Sequence, residues 1–267
     1  MFQITIPLLY IIAGTGLALS RLPRFASRSR VLALVAFLLA FIALLAHARL
    51  LYTMIVVGGG LQLTLGNSAS IIGVQLAVIS LLGSLEERLR GLCGGLLLLA
   101  ALLAALTGMS TANTEIASGW QLQAHILISL FAYGLLAVGA IVAVFGLIQE
   151  RRLHSAQLSG INQLFAPLET TERLLFGICA AGFASLLLGV LSGFLFVDNL
   201  FAQHLVHKTV LSIVALVLFG VLLAGRWLAG WRGRRAVWLY LWGFIVLCLA
   251  YFGSRYVLEI VLGRQWG

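Results

Sequence analysis

Residues 31–57 read VLALVAFLLAFIALLAHARLLYTMIVV, and the first sixteen of them carry no charged or hydrogen-bonding side chain. A hydrocarbon layer about 30 Å thick takes about 20 predominantly apolar residues in helical form, so this run is long enough to cross a bilayer. Only then does the pattern break, at His47 and Arg49. Composition extends the reading to the whole chain of 267 residues. It is 62% hydrophobic and 9% charged, with a mean hydropathy of +1.10, against roughly 25% charged residues in soluble domains. This is an integral membrane protein, read as all-α because helices satisfy their own backbone hydrogen bonds in lipid.

Runs of comparable length give eight transmembrane helices over approximately 3–20, 31–57, 68–84, 91–108, 123–148, 172–194, 205–225 and 237–260. They form a polytopic bundle treated as a single domain, 1–267. The first run has no basic residue before it and no small-residue cleavage site leading to a soluble domain, so it reads as a retained helix. Arginine is concentrated in alternate loops: four in RLPRFASRSR, two in EERLR, three from ERR through ETTER and four in RWLAGWRGRR. The intervening loops GGGLQLTLGN, TGMSTANTEIASGWQ and FVDNLFAQ have no basic residue. The positive-inside rule puts the arginine-rich loops in the cytoplasm and both termini on the outer side. The net charge of +9 therefore reports membrane orientation, not a nucleic-acid partner. In the longest cytoplasmic connection, Pro167 with Glu169 reads as the start of a helix, and the half before it as a mobile or surface-lying connector.

Several chemistries are excluded by their motifs. There is no GxxxxGK[ST] phosphate loop, no GxSxG elbow and no HExxH pair. Cys93, Cys179 and Cys248 belong to no CxxC or CxxCH pattern, which excludes covalent haem attachment and reads as structural thiols.

Ionisable residues inside a span cost roughly 2.5–3.5 kcal/mol on insertion scales and are functional candidates by default. They are His47 and Arg49 in the second helix, His125 at the outer start of the fifth, and His204, His207 and Lys208 at the outer start of the seventh. Arg255 and Glu259 complete the set, four apart and so able to form an ion pair on one face of the eighth. Lys208 is the only lysine in the chain. His125, Ser129 and Tyr133 recur every four residues and make one polar stripe, which suits either a ligand or a helix-to-helix seam. His47 falls at a depth similar to His125, and imidazoles on facing helices are what axial ligation of a haem iron requires. His204 and His207 at three-residue spacing are a weak metal signal. Lys208 can meet a carboxylate such as a haem propionate or Asp198. Glu115 and Asp198 are separate and form no acidic pair.

Taken together, AHILISLFAYGLLAVGAIVAVFGLIQERRL, PLETTERLLF, HKTVLSIVALVLFGVLLAGR, GWRGRRAVW and LAYFGSRYVLE resemble the cytochrome c assembly superfamily, in particular its small YpjD-type branch related to HemX and CcsA. The resemblance covers most of residues 125–264 and, more loosely, the first four helices. It implies an eight-helix protein of the bacterial inner membrane whose relatives hold haem between histidines near the outer face and pass it to apocytochrome c. His125 matches the histidine preceding an SYA-like segment in those relatives, and the branch also places a histidine in the helix of His47. In haem-handling members a tryptophan-rich outer loop ends in a WDPKE-like sequence. Here SGFLFVDNLFAQHLVHKTVLS stands in that place without a tryptophan, and Lys208, beside His207, is the residue that matches.

The expectation is a non-catalytic haem-binding or haem-handling accessory protein, with haem b as cofactor and His125 and His47 as axial ligands. His207, Lys208 and Arg255 lie at the same site, Lys208 or Arg255 against the propionates. Its surroundings are the lipid bilayer and other membrane or cytochrome-assembly proteins. The alternative is a transporter, or a regulatory membrane subunit of an ion transporter, with His47, Arg49, Arg255 and Glu259 lining a polar path.

Overall fold

The computed structural model describes residues 2–57, 60–108, 116–117, 119–154, 167–196 and 206–253. Eight helices follow one another: α1 (Phe2–Leu19), α2 (Ser29–Ile55), α3 (Leu65–Ser84), α4 (Arg90–Ala105), α5 (Trp120–His154), α6 (Leu168–Phe196), α7 (Val206–Ala229) and α8 (Gly233–Cys248). A π-helical turn, Leu249–Gly253, continues α8. Among the described residues seven spans are long and apolar enough to cross a membrane: α2, α3, α5, α6 and α7, α4 taken with the turn before it from Glu87, and α8 taken with its π-helical turn; α1 is a shorter apolar helix.

The helix positions follow the hydropathy pattern; the ends depart from it for local reasons. Helix α3 begins before the expected 68 because Thr64 caps it, its hydroxyl accepting from the Asn67 amide at 3.1 Å. Helix α5 continues past 148 to His154, so the QERRLH part of the expected connector is helical. At 1.5 Å per residue its 35 residues reach about 50 Å, well beyond the hydrocarbon layer. Hydropathy marks only the lipid-crossing part of such a helix, whereas its backbone bonds continue until a breaker ends them. Helix α6 starts where Pro167 was expected to start it. The Pro167 carbonyl accepts from the Thr171 amide at 3.0 Å, and Glu169 in the first turn pairs with Arg173 at 2.7 Å. The remainder of the connector, 155–166, lies outside the described residues.

The chain packs into two compact units: residues 1–53, 69–107 and 141–174 form the first, and 54–68, 108–140 and 175–267 the second. In the first, buried Ile6, Tyr10, Ala13 and Leu17 line one face of α1. On α2 the buried stripe is Ala33, Ala36, Ala40, Ala43 and His47, while Leu34, Leu38, Phe41 and Ile42 are exposed. Small residues inside and large apolar ones outside is the order expected where lipid, not water, covers the surface, because close backbone approach replaces hydrophobic burial as the source of packing energy. Helices α1 and α4 meet in this way: a Cβ on Gly14 would stand 2.8 Å from the Gly94 carbonyl oxygen, and one on Gly94 2.7 Å from that of Gly14.

A directed chain of hydrogen bonds ties this unit together. The Thr107 hydroxyl donates to the Ala104 carbonyl at 2.7 Å, so toward Ser70, 2.6 Å away, it can only accept. The Ser70 proton is thereby committed, and Ser70 Oγ accepts from His47 Nε2 at 2.7 Å. His47 Nδ1 then keeps its lone pair and faces the Tyr10 hydroxyl at 3.4 Å. Tyr10, His47 and Ser70 are fully buried.

In the second unit three short strands, β1 (Val56–Val57), β2 (Gly60–Gln62) and β3 (Ile116–Ala117), form an antiparallel sheet in that order, pairing Val56 with Leu61 and Leu61 with Ala117. Hydropathy alone showed loops at β2 and β3 and carried the helix 31–57 through β1, whereas α2 ends at Ile55. The Tyr240 hydroxyl of α8 donates to the Leu136 carbonyl of α5 at 2.9 Å and occupies the space that a side chain on Gly139 would fill. The Tyr240 ring meets Phe219 of α7 edge-on at 5.2 Å.

Two outcomes test this packing by thermal unfolding in detergent. Ser70→Ala leaves the His47 Nε2 proton without its acceptor and costs about 1–3 kcal/mol, whereas Ser84→Ala, removing only a bond to Leu81 within α3, leaves Tm nearly unchanged. Gly139→Ala drives a methyl into Tyr240 and costs about 1–3 kcal/mol. Gly177→Ala, where a Cβ meets nothing within 4 Å, costs nothing.

Candidate functional site

The polar stripe of α5 forms a seam with two neighbouring helices of the second unit. His125 Nδ1 lies 2.9 Å from Ser192 Oγ of α6. One turn on, Ser129 packs where α6 presents Gly189, whose added Cβ would stand 3.3 Å from Ser129 Oγ. At the next turn the Tyr133 hydroxyl donates to the Leu247 carbonyl of α8 at 2.7 Å. Seam and ligand were the two meanings open to this stripe. Ser129 and Tyr133 belong to the seam. His125 belongs to it through one ring nitrogen; it is half-buried, and among the described residues its Nε2 has no hydrogen-bond partner.

The second unit also places a cation, itself seated on an aromatic ring, within electrostatic range of this imidazole. Lys208, in the first turn of α7, holds its Nζ 4.9 Å from the centroid of the Tyr251 ring, a cation–π contact. Its charge is close enough to act on His125. Tyr251 is fixed in turn: its hydroxyl shares a 2.8 Å hydrogen bond with Ser68, and its ring lies 5.8 Å from Tyr133 and 5.1 Å from Phe252. Tyr251 and Phe252 both sit in the π-helical turn, where one extra residue widens the helix, an irregularity frequent at functional sites.

No described contact brings the remaining candidates to this imidazole. His47 belongs to the first unit and has both ring nitrogens engaged, by Tyr10 and Ser70. Arg49 is exposed on α2 while His47 two residues earlier is fully buried, so the two do not share a face. His207 is exposed beside Lys208. His204, Arg255, Glu259, Asp198 and Glu115 lie outside the described residues. Among the described residues no group of three or more His, Cys, Asp or Glu side chains could hold a metal ion, and the three cysteines are free thiols. A metal centre built by protein ligands alone is therefore not formed there; a single nitrogen donor to a metal that arrives already chelated is compatible with the geometry.

Sequence reasoning missed Ser192, Tyr251 and Ser68. Ser192 had a usable signal: a hydroxyl within an apolar span must find a partner inside the protein. Tyr251 carried none, because its position depends on the π-helical turn.

Comparison with known proteins is consistent with this architecture. The family described as "Cytochrome C assembly protein" matches residues 8–262. The inner membrane protein YpjD of Escherichia coli (strain K12) is 34% identical over 236 residues, 85% of this chain and 88% of its own length. A 28.8 kDa protein in the nifR3-like 5' region of Azospirillum brasilense is 32% identical over 149 residues, 55% of each chain. The cytochrome c biogenesis protein CcsA of Guillardia theta is 22% identical over 157 residues, 52% of each. No solved structure matches. With a match running through nearly the whole chain and eight apolar helices to carry it, this multi-pass membrane protein belongs to the cytochrome c assembly protein family.

Proposed function

We propose that this protein is a non-catalytic, haem-handling accessory component of the bacterial inner membrane. In this reading His125 offers Nε2 to the iron of haem b, and Lys208 receives a carboxylate of the porphyrin, with this end of α5 and α7 on the outer side. The observation that carries it is the state of His125. Its Nδ1 is engaged by Ser192, its Nε2 has no partner among the described residues, and a lysine on an aromatic ring stands nearby. Family membership and the likeness to CcsA support the general class.

The residues fit the group. Haem would bring an iron already held by its porphyrin, so a single imidazole such as that of His125 would suffice where the described residues form no multi-residue metal cluster. Its carboxylates need a cation within an otherwise apolar site, and Lys208 supplies one. The Tyr251 ring contributes a cation–π energy of about 0.5–2 kcal/mol to placing that ammonium. A charge-assisted bond to a carboxylate is stronger.

An absorption spectrum of the protein purified from its native membrane tests the reading directly. A Soret band is expected, and its absence even after incubation with haem would overturn the proposal. His125→Ala lowers haem content, whereas His154→Ala at the other end of α5 leaves it unchanged. The role of Lys208 is read without iron: wild type binds metal-free protoporphyrin diacid about tenfold more tightly than its dimethyl ester, the size of one charge-assisted hydrogen bond. Lys208→Met makes the two affinities equal.

A further inference from the structure

We infer that Ser192 is a positioning residue that holds His125 in the tautomer protonated at Nδ1, leaving Nε2 as the lone-pair donor. The argument is a count of protons. The Ser192 hydroxyl donates to the carbonyl of Gly189, three residues back in α6, at 2.9 Å. A carbonyl only accepts, and a hydroxyl has one proton, so Ser192 meets His125 with a lone pair. The 2.9 Å contact to Nδ1 then requires the hydrogen to sit on the ring nitrogen. A neutral imidazole has one N–H, so Nε2 is bare.

The opposite tautomer is penalised by the same hydroxyl. It would set the Nδ1 lone pair against the oxygen lone pair of Ser192, unless the serine gave up its bond within α6. The spacing of α5 and α6 leaves little freedom for that, because Ser129 packs against Gly189 one turn away. His47 makes the contrast. Counting back from the Ala104 carbonyl through Thr107 and Ser70 puts its proton on Nε2. The two histidines are held in opposite tautomers, and His47 presents its remaining lone pair to Tyr10.

The use of the bare Nε2 rests on the haem-handling reading; the tautomer itself does not. For a metal-bound histidine, an acceptor on the far nitrogen aims the ring and raises its basicity, and losing it typically costs about 10- to 100-fold in affinity.

Nitrogen-15 spectra of the ligand-free, histidine-labelled protein separate the two levels. The expected result is an Nδ1–H signal for His125 and an Nε2–H signal for His47. Ser192→Ala moves His125 toward Nε2–H, Ser192→Thr preserves Nδ1–H, and Ser129→Ala lowers Tm without moving the tautomer. An Nε2–H signal for His125 in wild type, or no change in Ser192→Ala, overturns the inference. In binding titrations Ser192→Ala weakens haem about 10- to 100-fold while metal-free protoporphyrin binds as to wild type, and Ser192→Thr restores haem affinity. Equal weakening of both porphyrins assigns Ser192 a merely structural role and overturns its positioning one. A wild-type protein with the Nδ1–H signal and no haem affinity upholds the tautomer and overturns the haem reading.

Discussion

A polar group inside a bilayer has no water to fall back on, and much of this structure follows from that constraint. The backbone meets it by forming helices. Several buried side chains with a proton to give, or a lone pair to fill, meet it through a partner on a neighbouring helix, and such a choice fixes the direction of the next bond. In the first unit the choices run from Tyr10 through His47, Ser70 and Thr107 to a carbonyl. In the second they tie Tyr133 and Tyr240 to carbonyls of facing helices. Glycines and alanines at the helix contacts let these short bonds form.

The same rule gives two histidines on apolar helices opposite characters. His47 is surrounded by partners that together use both of its nitrogens, so it acts as a junction among helices. Among the described residues His125 has its hydrogen-bond partner at Nδ1 only. The asymmetry comes from how many hydroxyls face each ring and which carbonyls have already taken their protons. Helix propensity and hydropathy have no part in it. An imidazole satisfied on one side is stable in the protein and still able to donate on the other, which is the condition for a reversible ligand.

Much of the fold was legible in the sequence, and the reason can be traced to particular elements. Helix α2 is announced by its apolar run, and the start of α6 by Pro167 and Glu169. The polar stripe on α5 was visible as a four-residue recurrence, and Lys208 as the only lysine. Less legible were the extension of α5 to His154 and the three short strands, because hydropathy reports only apolar runs: the QERRLH end of α5 is polar, β2 and β3 fall between such runs, and β1 is hidden in the apolar end of 31–57. The candidate site was half legible. His125 and Lys208 announce themselves by being ionisable in apolar surroundings, whereas Ser192, Ser68 and Tyr251 are ordinary residues until their neighbours are known.

What the sequence by itself determined is the class of protein and the number and place of its helices, since the length of an apolar run is a local property set by the thickness of a membrane. The tertiary structure decided the chemistry of the two histidines. Ser70 is 23 residues from His47 and Ser192 is 67 from His125, and which nitrogen keeps its lone pair depends on where the protons of those distant hydroxyls go. Neither imidazole's own segment holds that information, because a hydrogen bond is directed by both of its ends.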